Sequence, residues 1–144
     1  MDIEQLKDYL IQKGCKLKGC TKKEIYKIEE VYNVALPKAY KRFLEIMGKG
    51  AGNFMRGSSA FYNEIFDLRE ESIELVEKSF GRGLPENSFV FFMHQGYQFA
   101  FFYVQGSEDP PVYYFSEGSQ QSEFIELTPS FTDFLVLQTE ASGL

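Results

Sequence analysis

The chain has 144 residues, of which 44% are hydrophobic and 25% charged, and a net charge of −6; these proportions suit one folded domain over residues 1–144 and exclude a disordered chain. Two cysteines exclude a disulfide-dense scaffold, a single histidine excludes most His-based metal and catalytic sites, and no apolar run is long enough to cross a bilayer. Aromatic residues reach 17%, as 15 Phe and 9 Tyr with no Trp, which is ample ring area to fill a core.

Asp2 is placed to cap a helix running to about Lys13, with Ile3, Leu6 and Leu10 on one face and Gly14 as its stop. Thr21 with Glu24 three residues on forms a capping box. It opens a second helix, with Ile25, Ile28 and Val31 or Tyr32 inward and Asn33 at its end. Leu36-Pro37 begins a third, where the missing N–H of proline costs nothing. Tyr40, Phe43, Leu44 and Met47 recur at helical spacing, and Gly48 follows. Residues 48–60 read as a loop, Asn63 to Leu68 as a short strand, and Glu70 to Phe80 as a fourth helix with Ile73, Val76 and Phe80 inward.

The second half reads as a sheet. Ser88 to His94 and Tyr97 to Val104 are aromatic strands joined at Gln95-Gly96. A loop containing Pro110-Pro111 leads to a strand over Val112 to Ser116. Glu117-Gly118-Ser119 turns the chain, and Glu123 to Leu127 adds a strand. Thr128-Pro129 opens a last helix with Phe131, Phe134 and Leu135 inward. Strands apolar on both faces need cover on each side. Helices, then a meander, then a helix therefore predict an α+β fold: a central, mostly antiparallel sheet flanked by N-terminal helices and a C-terminal helix.

The order of these motifs resembles the SUKH superfamily, and within it the Smi/Knr type. The resemblance is carried by Thr21-x-x-Glu24-Ile25, Leu36-Pro37-x-x-Tyr40-x-x-Phe43-Leu44 and Gly48-x-Gly50, then by Phe89-Val90-Phe91-Phe92-x-His94-Gln95-Gly96-Tyr97, Asp109-Pro110-Pro111-Val112-Tyr113 and Ser130-Phe131-x-x-Phe134-Leu135. Members of the family often carry Trp, where this chain has only Phe and Tyr. The resemblance implies an α+β fold, no enzyme activity and no shared catalytic motif. It implies a protein-binding role, either as a bacterial immunity protein that blocks a toxin domain, often a nuclease, or as a regulatory adaptor of a housekeeping protein.

The residues themselves nominate no catalytic group. His94 stands at a strand end with no nucleophile at a telling spacing. Cys15 and Cys20 lack the further ligands that zinc needs, and free thiols are expected of them. Gly48-Lys49-Gly50-Ala51-Gly52 follows a helix instead of opening one, which is the wrong order for a phosphate loop. Lys16, Lys18, Lys22 and Lys23 read as a solvated face. No cofactor and no metal are expected.

Charge is unevenly divided. Residues 1–50 hold 11 Lys/Arg against 7 Asp/Glu, and residues 51–144 hold 4 against 14. Such a surface repels nucleic acid and anionic membranes and attracts a basic protein. The expected contact face comprises Glu70, Glu74 and Glu77 on the fourth helix, Glu108 and Asp109 on the proline-stiffened loop, and Tyr113. The start Met1-Asp2-Ile3-Glu4 lacks the pattern of a signal peptide, so a cytoplasmic location is expected.

Overall fold

A computed structural model describes residues 1–118 and 123–144. The helices are α1 (Ile3–Gln12), α2 (Lys22–Tyr32), α3 (Lys38–Met47), α4 (Tyr62–Phe80) and α5 (Phe131–Ala141). The strands are β1 (Leu17–Lys18), β2 (Gly50–Ala51), β3 (Ser58–Ser59), β4 (Ser88–His94), β5 (Gln98–Tyr103), β6 (Val112–Ser116) and β7 (Ile125–Thr128). β1 and β2 make a small antiparallel ribbon. The other five form one antiparallel sheet in the order β3-β4-β5-β6-β7. The α+β architecture predicted from the sequence is the one observed.

Local chemistry sets the helix ends. Asp2 accepts the Gln5 amide at 2.8 Å while the Gln5 side chain accepts the Asp2 amide at 2.9 Å. Thr21 and Glu24 do the same at 3.1 and 2.8 Å, closing the capping box. Asn33 ends α2 with φ at +52°, a conformation its short amide side chain tolerates. Of the two inward options on α2, Tyr32 is the one packed against the core, and Val31 is exposed. α5 starts two residues later than the reading from Thr128 and Pro129: Ser130 is its cap and accepts the Asp133 amide at 3.0 Å, while Thr128 ends β7. Of the predicted turn Glu117-Gly118-Ser119, Ser119 lies outside the described residues.

Two readings are corrected. The short strand expected over Asn63–Leu68 does not exist; that segment forms the first turns of α4. Ile65, Leu68, Ser72 and Val76 are its buried residues, spaced three to four apart, and no Gly or Pro interrupts residues 62–80. The longer helix re-phases the inner face, so Ser72 takes a buried place and Ile73 lies half-buried on the flank. Residues 48–60, read as a loop, contribute β2 and β3; the latter pairs with the end of β4 through Ser58 to His94 and Ser59 to Met93.

The sheet is covered on both faces. Tyr40 of α3 and Phe131 and Phe134 of α5 pack on one, with ring centroids 5.3 Å apart for Tyr40–Phe102 and 5.1 Å for Phe91–Phe134. α4 and Phe124 pack on the other, with 5.3 Å for Phe80–Phe115 and 5.1 Å for Phe101–Phe124. Strict alternation along β4 is broken by a register shift between Val90 and Phe92. A bulge there turns both Phe91 and Phe92 toward α5, where each packs on Phe134, and returns Met93 to the face of Val90, opposite Phe99.

Candidate functional site

α4 is the element that carries charge to the surface. Its inner residues lock it to the sheet, and Arg69 adds a bond from its guanidinium to the Ser88 carbonyl at 2.6 Å. The outer side holds Asp67, Glu70, Glu71, Glu74 and Glu77, all exposed. Around the inner end of this stripe the field is felt by Tyr32: burial pushes its phenol up, Asp67 and Glu70 add to the rise, and Arg69 opposes it.

Among the described residues, the ion pairs all join partners within the first 50: Lys41–Glu29 at 3.4 Å, Arg42 with Glu4 and with Glu45, and Lys49–Glu24 at 3.0 Å. These pairs hold Lys41, Arg42 and Lys49 against acids of the same stretch. The carboxylates of α4 form no ion pair among the described residues, Lys78 included.

The structure places the predicted contact residues in three settings. Glu70, Glu74 and Glu77 share the outer side of α4. Glu108 is exposed on the loop between β5 and β6, and its carbonyl accepts the Ala39 amide at 2.9 Å, which ties that loop to the start of α3. Asp109 is half-buried and its carboxylate accepts the Thr132 amide at 3.0 Å. It serves as a second cap for α5, on the opposite side of the sheet from α4. Tyr113 lies on the α4 side of the sheet, stacked on Phe101 at 5.6 Å and edge-on to Tyr103 at 5.2 Å.

Three acidic residues outside that set join the α4 stripe: Asp67 and Glu71 on the helix itself, and Glu117. Glu71 and Glu74 line a shallow depression of about 390 Å³ together with Leu75, Lys78, Met93, Gly96 and Glu117. The sheet's hairpin end therefore brings Glu117 beside α4. The signal for Glu71 was its helical spacing to Glu74; Glu117 is 43 positions further on in sequence than Glu74, so only the tertiary fold could reveal it.

A second, larger groove of about 660 Å³ lies on the other face, between α5 and the sheet, lined by Ser58, Phe92, His94, Gln98, Tyr114, Leu127 and Leu137 among others. His94 Nδ1 is 2.9 Å from Ser58 Oγ. The two are cross-strand partners in register, so the bond closes the β3–β4 pair. No carboxylate orients the imidazole among the hydrogen bonds of the described residues, as a Ser-His-Asp arrangement would need. The described residues hold no group of three or more His, Cys, Asp or Glu arranged to bind a metal ion. Cys15 and Cys20 are buried and unbridged. No helix among the described residues is long and apolar enough to cross a membrane.

Comparison with curated proteins finds no significant match. A protein-family model does match, over residues 19–136, described as the SMI1/KNR4 family (SUKH-1). That span runs from the loop before α2 into α5 and takes in both flanking layers of the sheet as well as the acidic depression. With more than half of its length matched, this chain belongs to the SMI1/KNR4 family (SUKH-1).

Proposed function

We propose that this chain is a non-enzymatic immunity protein that binds a basic toxin domain and blocks it, with the outer side of α4 as the contact face. Family membership supports a protein-binding domain of the immunity or regulatory type. The observation that carries the finer reading is the exposed row Asp67, Glu70, Glu71, Glu74 and Glu77, which forms no ion pair among the described residues. Such a row attracts a cationic face at long range and discourages nucleic acid. On a nuclease toxin it would occupy the groove that otherwise takes the phosphate backbone. Tyr113, on the α4 side of the sheet, extends the proposed face, whereas Glu108, on the loop that Asp109 fixes, stands beside Lys38 and Lys41 at the start of α3 on the other side. The free, buried thiols accord with action in the cytoplasm.

The test is binding to a panel of basic toxin domains, nucleases included, at low and high salt. The expected result is association that weakens steeply with salt and is lost in a Glu71→Lys/Glu74→Lys double variant. Salt-independent binding, or unchanged binding by that variant, would overturn the face. Capture of a housekeeping protein in place of any toxin would move the chain to the regulatory role.

A further inference from the structure

We propose that β7 is a docking edge for an extended, basic segment of a partner polypeptide, which adds to the sheet as a sixth strand. The proposal rests on the protein-binding reading for the kind of partner, but not on α4 as the contact face.

Among the described residues, β7 is the last strand in the sheet order and pairs only with β6. Its outer side therefore presents main-chain N–H and C=O groups without a strand partner, and what satisfies such groups best is another extended backbone. The side chains support the same occupant. Ile125 is 58% exposed and Leu127 40% exposed, and across the groove Leu137 of α5 is 39% exposed. Ile125 stands opposite Tyr114 in register, and Tyr114, Leu127 and Leu137 all line the 660 Å³ groove. The other exposed large hydrophobics among the described residues, Met1, Ile11, Tyr26, Val31 and Tyr97, belong to other elements. An apolar row along a strand edge, continuous with a groove, is what a strand of alternating side chains would cover.

Charge selects the partner. No Lys or Arg occurs after Arg82, so the charged side chains of β7 and α5 are the acids Glu126, Asp133 and Glu140, while Arg56, from the segment before β3, lines the groove beside Glu140. Lysine is a common guard of exposed strand edges, and β7 has none; what blunts it is the acid Glu126, the bulge at Leu127 and Pro129 beyond its end, and of these Glu126 repels an acidic edge but not a basic one. Glu126, pointing away from the groove, pairs with Tyr113. Two copies of β7 paired edge to edge would bring Glu126 of each toward the other, which argues against self-association. A strand with aliphatic residues toward the groove and lysines toward Glu126 meets both faces.

The test titrates isotope-labelled protein with a short, end-blocked peptide of alternating Lys and Val. The controls are its Glu-Val counterpart and a Lys-Val peptide N-methylated on alternate backbone nitrogens. The expected result is slowed amide exchange across Ile125–Thr128 and shifted methyl signals at Leu127 and Leu137 with the Lys-Val peptide. Both controls and a Leu127→Lys variant should bind about tenfold more weakly or worse, as expected when a docking contact is lost. Leu127 is exposed, so that variant should fold; Ile125→Lys gives an independent second test. A Glu74→Lys variant should bind the peptide as the unaltered chain does, and this outcome separates the edge from the α4 face. Equal binding of the N-methylated peptide, protection confined to α4, no change at β7, or protection that tracks formation of a dimer would each overturn the proposal.

Discussion

Asp109 shows how a single carboxylate can look like surface and act as scaffold. By position it is an acid beside two prolines on a loop. In the fold its oxygen accepts the Thr132 amide and holds the start of α5. Asp109→Ala should lower stability by about 1 kcal/mol, the usual cost of removing a capping oxygen. Asp109→Asn, which keeps an acceptor, should recover most of it. Urea unfolding monitored by circular dichroism checks both, and equal midpoints for the two variants would refute the cap. The local caps at Asp2 and Thr21 were legible because donor and acceptor lie three positions apart. The cap supplied by Asp109 was not, because its recipient stands 23 positions away. Distance along the chain likewise hid Glu117 and the exposed role of Leu127.

Among the elements, α4 departs furthest from its sequence reading. Residues 63–68 mix apolar and polar side chains in a way that fits a short strand as well as a helix, and only the longer spacing from Ile65 through Leu68 and Ser72 to Val76 decides between them. The whole sheet was more legible: β4 and β5 are rings on both sides, and Gln95 and Gly96 both adopt positive φ, as the turn between them demands. β2 and β3, at two residues each, carry no periodic signal and form only because neighbouring strands receive them. On α4 itself, Glu70 and Glu74 stand one turn apart and repel each other. Glu74→Lys should therefore leave stability unchanged or raise it by roughly 0.2–0.5 kcal/mol. The same change should cost binding to a basic partner. A thermal melt beside a binding titration reads this split, and a large loss of stability would mean that Glu74 holds the fold together instead of presenting charge.

For the molecule as a whole, stability should fall on the alkaline side. Burial pushes the Cys20 thiol from an ordinary 9.0 to about 11, the Glu24 carboxylate adds to the rise and Lys49 opposes it. Burial also holds the Tyr40 phenol well above its usual range. The unfolded chain releases these protons earlier than the folded one. Between about pH 9 and 11 the native state therefore binds more protons than the unfolded state, and stability declines as pH rises through that window. Denaturation midpoints across the window check this, and a flat profile would contradict it. The buried cluster that includes Cys20 and Tyr40 runs from Leu6 to Leu135, so disturbance at either is felt by α1, α3 and the sheet together.

The bulge in β4 gives that strand an unusual tolerance. In a regular strand, losing one residue swings every later side chain to the opposite side. Here the ladder with β5 already runs from Val90 to Phe92 with Phe91 as the supernumerary residue. A chain shortened by Phe91 alone could keep Met93 beneath α4 and His94 beside Ser58, giving up one ring from the packing and nothing from the frame. Shortening at Phe89 would draw on the same slack to keep Phe92 to His94 in place, but Val90 and Phe91 would exchange faces and the packing of both would be lost.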